Sequence, residues 1–115
     1  MIEPTPLARY EVEDGRLVIL LGGEIDLSNA ETLEAQIDQV IQGANVHEVV
    51  VDLTGIEFID SRGLRLLTRI SNAVAGRDAT LTVVAPPDSI ARSVLDMTRL
   101  TDELAVRDSA LSPES

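Results

Sequence analysis

Hydrophobic residues along the chain change period several times, and each change marks an element. "LARYEVED" (Leu7 to Asp14) and "RLVILLGG" (Arg16 to Gly23) flank Gly15 and read as a hairpin. The second run is apolar at nearly every position, the pattern of a central strand covered on both sides. "SNAETLEAQIDQVIQG" then switches to helical spacing, with Leu33, Ile37, Val40 and Ile41 on one stripe and Gly43 as a stop. Ser28 and Glu31 stand at the spacing of a capping box. "HEVVVDL" (His47 to Leu53) is a second buried strand, followed by "TGIEFID" as a connection.

The helix predicted from about Ser61 to Ala75 turns Leu64, Leu67, Ile70 and Val74 inward and Arg62, Arg65 and Arg69 outward. "ATLTVVA" (Ala79 to Ala85) is a third buried strand, ended by Pro86 and Pro87. Asp88 is placed to cap a helix through about Met97, and "DELAVRD" gives a last short strand. The order β-β-α-β-α-β-α-β predicts one α/β domain spanning 1–115, with a mixed, mostly parallel sheet and right-handed crossovers. Its core runs over about 7–108, and residues 109–115 read as a flexible tail.

Composition narrows the function. Phe58 and Tyr10 are the only aromatic residues, so the core is aliphatic and offers few stacking platforms for bases or flat cofactors. The formal net charge of −11 disfavours nucleic acid and anionic membrane surfaces. Without cysteine there is no disulfide, thiol switch or zinc–thiolate site. The N-terminal stretch lacks the pattern of a signal peptide, and "LVILLGG" is far shorter than the roughly 20 residues of a membrane span. A soluble cytoplasmic protein, without cofactor and not an enzyme, is the expectation.

In a parallel sheet, ligand sites collect at the carboxyl ends of the strands. Three loops leave that edge, carrying Asp26, Asp60 with Ser61, and Asp88. Asp and Ser both serve as helix caps, and where two stand in succession, as at Asp60 and Ser61, one is spare. Gly63, in a first helical turn, points to a close approach, either by internal packing or by a partner's backbone. As a nucleophile Ser61 would need a nearby base. His47, the only histidine, opens the strand whose far end leads to Ser61, roughly 20 Å away at ~3.3 Å per residue. Modification is the third option, beside the helix cap and the nucleophile. A phosphate on Ser61 adds about −1.5 to −2 charges beside Arg62 and Arg65, at a helix N-terminus suited to receive it.

"VVVDLTGIEFIDSRGLRLL" and "LGGEIDLSNAETL" resemble the two signature segments of STAS domains, in particular the bacterial anti-sigma factor antagonists. The resemblance covers nearly the whole chain. It implies partner switching: the antagonist binds an anti-sigma factor with serine kinase activity and frees a sigma factor. The kinase modifies the serine after the motif aspartate, here Ser61, and a phosphatase restores it. The matching partner-binding positions are Asp26, Asp60, Ser61, Gly63 and Leu64. Arg62 departs from the family pattern, which commonly has a second serine or threonine there; it bears on attraction of the phosphate and on kinase choice. An alternative from the same resemblance is an unswitched STAS subunit or scaffold of a transport or stress-sensing complex, binding a nucleotide or other small ligand. Weak homodimerisation stays open.

Overall fold

The computed structural model describes residues 7–109. Strands β1 (Leu7–Glu13) and β2 (Arg16–Ile25) form the expected hairpin. Asp14 and Gly15 make the turn, both with positive φ (52° and 76°), the backbone twist that a two-residue hairpin needs and an Asp-Gly pair adopts readily. Helix α1 (Ala30–Gly43), strand β3 (Glu48–Ile59), helix α2 (Ser61–Ala75), strand β4 (Thr80–Val84) and helix α3 (Ile90–Met97) follow. A short 3-10 turn, Leu100–Asp102, leads into β5 (Val106–Arg107). The last strand is thus two residues long, not the seven of "DELAVRD", and the predicted tail from residue 110 on lies outside the described residues.

The sheet order is β1-β2-β3-β4-β5, with only β1 antiparallel. Each parallel crossover therefore steps to the next strand in the same direction. With right-handed crossovers, all three helices fall on one face. That corrects the expectation of a β2 covered on both sides. Leu17, Ile19 and Leu21 are buried in the core shared with the helices, whereas Val18 and Leu20 between them are half-buried and belong to the other face.

The core is aliphatic throughout, with no buried polar or charged residue among those described. Leu33, Ile37 and Ile41 of α1 and Leu66, Leu67, Ile70 and Val74 of α2 pack onto Val49, Val51, Leu53 and Val83 of the sheet. The inner stripe of α2 is thus centred on Leu66, and Leu64 sits half-buried at its margin. On β1, Tyr10 lies over the same face; its hydroxyl donates to Gln36 Oε1 of α1 at 2.9 Å, and burial pushes the phenol's pKa up.

Strand β3 differs most from expectation. It continues through Thr54–Ile59, the stretch read as a connection, and stays paired with β2 up to Ile25↔Ile59. Opposite Leu20–Gly22 and Gly23–Glu24 of β2, strand β3 carries one extra residue each time; the first shift turns Ile56 inward, one position out of phase with simple alternation, and the second returns Ile59 to the original phase. Strand β4 ends level with Asp52, so β3 projects beyond it by roughly 20 Å at ~3.3 Å per residue. This projection carries Asp60 and Ser61.

Candidate functional site at the end of the long strand

Because Ile25 and Ile59 are register partners, Asp26 and Asp60 leave neighbouring strands at the same level. The backbone N–H of Asp60 donates to the carbonyl of Ile25 at 3.2 Å. Its carboxylate then works in two directions. Oδ1 accepts from the backbone N–H groups of Arg62 (2.9 Å) and Gly63 (3.2 Å), capping α2. Oδ2 accepts from the N–H of Leu27 at 3.2 Å, in the loop that follows β2. Asp60 is the cap, and Ser61 is the spare residue of the pair. Its side chain is exposed and makes no hydrogen bond among the described residues. The amides that a phosphate on Ser61 was expected to use are those that Asp60 already holds.

Asp26 is bound within its own loop. Its Oδ1 accepts from the N–H (2.9 Å) and hydroxyl (2.6 Å) of Ser28, while its carbonyl accepts from the N–H of Asn29 (3.1 Å) and of Ala30 (2.9 Å). Asn29, not Ser28, precedes α1, and its side chain accepts from the N–H of Asp26 and donates to the carbonyl of Glu24. The capping box predicted for Ser28 and Glu31 is therefore absent. Aspartate two residues before Ser28 offers its hydroxyl a nearer acceptor, and the serine turns toward it.

Gly63 is buried. A Cβ there would stand 2.5 Å from Ile59 Cγ1 and 3.1 Å from Ile25 Cγ2. Of the two uses considered for its missing side chain, internal packing accounts for it: α2 begins directly against the ends of β2 and β3. Leu64 follows, its N–H bonded to the carbonyl of Asp60 at 3.0 Å. Around the exposed serine stand Arg62 and Arg65, also exposed, together with two exposed apolar side chains at the same end of the sheet, Leu27 and Phe58.

Asp88 does not join this group. It lies in the loop after β4, which leaves the sheet at the level of Asp52, and no hydrogen bond links it to Asp60 or Asp26. Nor does it cap α3. Ser89 does, its Oγ accepting from the N–H of Arg92 at 3.1 Å while donating to the carbonyl of Pro86. His47 lies at the opposite end of β3, its backbone bonded to the hairpin turn at Gly15.

Two features were missed in the sequence. The double duty of Asp60 carries no linear signal, because Leu27 is 33 residues away. The second is the groove between α1 and α2, where Glu31, Glu34 and Asp38 face Arg62, Arg65 and Arg69. Each triplet repeats at i, i+3, i+7, so this signal was legible but went unpaired. Arg69 reaches Glu34 at 3.3 Å. Among the described residues, no helix is long and apolar enough to cross a membrane.

Comparison with known proteins identifies the family and the fold. The "Anti-sigma-F factor antagonist RsfB" of Mycobacterium tuberculosis is 39% identical over 72 residues, 63% of this chain and 57% of that protein. The match thus spans little more than half the length of that relative. An anti-sigma factor antagonist from Mycobacterium paratuberculosis, solved by crystallography, superposes with a TM-score of 0.81 at 27% identity, covering 92% of this chain and 88% of that one. The Bacillus cell fate determinant SpoIIAA in its phosphorylated form shares the fold, with a TM-score of 0.65 at 20% identity over 88% of this chain and 91% of that one. The profile of the STAS domain matches residues 8–111, and the chain belongs to that family.

Proposed function

We propose that this chain is an anti-sigma factor antagonist whose docking face is switched by phosphorylation of Ser61. One observation carries the reading: Asp60 takes over the capping of α2 and leaves the hydroxyl beside it exposed and uncommitted. A residue needed for the fold would be tied into it. Similarity to proteins named as antagonists supports the binding role, and a relative solved in a phosphorylated form supports the switch.

In the proposed cycle, the partner is an anti-sigma factor with serine kinase activity. Ser61 Oγ attacks the γ-phosphorus of ATP, the hydroxyl proton passes to a base of the kinase, and the bond to the departing ADP breaks. A phosphatase later cleaves the phosphoester with water and restores the hydroxyl. The unmodified face presents Ser61 with Arg62 on one side and the half-buried Leu64 on the other, flanked by the acidic loop at Asp26. Adding about −1.5 to −2 charges there places a bulky anion in the contact area. The core side chains of α2 point away from Ser61, so the switch works on the surface and leaves the packing intact.

Affinity for a candidate anti-sigma factor, measured by calorimetry, should fall at least tenfold in Ser61→Glu and stay near wild type in Ser61→Ala. Mass spectrometry after incubation with the kinase and ATP should place the phosphate on Ser61. Equal affinities for all three proteins, or a phosphate on another residue, would overturn the switch.

A further inference from the structure

The occupied helix amides raise a question of charge. A phosphate on Ser61 sits next to the Asp60 carboxylate and near Asp26, and of the first-turn amides those of Arg62 and Gly63 are already bonded to Asp60, which leaves only the N–H of Ser61 itself. One amide does not balance a group of about −1.5 to −2 charges, so the rest of the compensation falls to side chains. Arg62 follows Ser61 directly, and Arg65 is one helical turn on, at the i+4 position that lies on the same face.

Both arginines are available. They are exposed, and neither forms an ion pair or hydrogen bond through its side chain among the described residues. Helix register explains why. Arg69 of α2 bonds Glu34 of α1, and Arg77, two residues past the end of α2, bonds the carbonyl of Gln42; both contacts join residues 35 apart. On that register Arg65 stands level with Ala30, the first residue of α1, and Arg62 with Leu27 before it. Glu31, one residue further on, lines the same groove but pairs with neither. In a chain of net charge −11, two neighbouring arginines that close on none of the carboxylates around them stand out.

Resting on Ser61 as the modified residue, we propose that Arg62 and Arg65 close on the phosphate in the same chain. The clamp supplies charge-assisted hydrogen bonds that the capped helix end cannot give. It also withdraws both cations from the docking face. Modification therefore removes a hydroxyl and neutralises a positive strip that an acidic partner surface would read.

Phosphoserine placed at position 61 by genetic encoding tests this without any kinase. Phosphorus NMR follows its second ionisation, ordinarily near pH ~6. Carboxylates at Asp60, Asp26 and Glu31 push that pKa up; Arg62, Arg65 and the helix end pull it down. Arg65→Gln and Arg62→Gln should each raise it by roughly half a unit or more relative to the unsubstituted phosphoprotein. Arg69→Gln, whose arginine is engaged with Glu34, should leave it unchanged. A value indifferent to Arg65→Gln would overturn the clamp, and so would an Arg69→Gln effect as large as that of Arg65→Gln. Because the phosphate is installed beforehand, failure of a kinase to modify Ser61 would defeat the switch and leave this result standing.

Discussion

Gly63 fixes how closely α2 starts against the sheet. An added methyl would be driven into Ile59 Cγ1, an atom near the backbone that cannot swing aside as a chain end would. Alanine is the better helix former by roughly 0.5–1 kcal/mol. Overpacking of this kind costs about 1–3 kcal/mol and should prevail. Gly63→Ala should therefore lower the urea midpoint, with the slope unchanged, and an equal or higher midpoint would show that the helix start has room to shift. At this scale, half of the site was legible. Two adjacent residues able to cap the helix announce that one is spare, but which one depends on Leu27 supplying a second donor to Asp60 from a distant loop. Composition cannot express that.

Among the elements, α3 shows how local chemistry chooses between equivalent letters. Asp88 and Ser89 are both good caps, and the backbone of Ser89, extended at φ −80° and ψ 155°, gives it the position. Ser89→Ala should cost about 1 kcal/mol in thermal or chemical unfolding. Asp88→Ala should stay within about 0.5 kcal/mol of wild type. The reverse order would mean that α3 starts one residue earlier.

Helices α1 and α2 were recognisable from their apolar stripes to within a residue or two, since 3.6-residue spacing survives small errors. The far half of β3 was not. Its buried positions Ile56 and Ile59 are three apart, with Glu57 and Phe58 exposed between them, because two extra residues in β3 opposite β2 shift the phase. A strand that departs from alternation reads as a loop. The unmatched piece is the one that carries Asp60 and Ser61 out to the site.

For the molecule as a whole, charge is the dominant long-range feature. The ion pairs among the described residues sit at the surface, where each contributes about 0–1 kcal/mol. A net charge of −11 on 115 residues repels itself more strongly when compact than when unfolded. Raising NaCl from about 20 mM to about 300 mM shortens the screening length several-fold and should raise the melting temperature by a few degrees. A melting temperature that falls with salt would mean that the surface pairs outweigh the repulsion.

The strand order has a further consequence for synthesis. Each strand neighbours the one made just before it, from β1 through to β5. A chain emerging from the ribosome thus finds its pairing edge already laid down, and no segment has to wait for a distant one. Assembly can advance from the hairpin onward like a row of tiles, with the two-residue β5 set last.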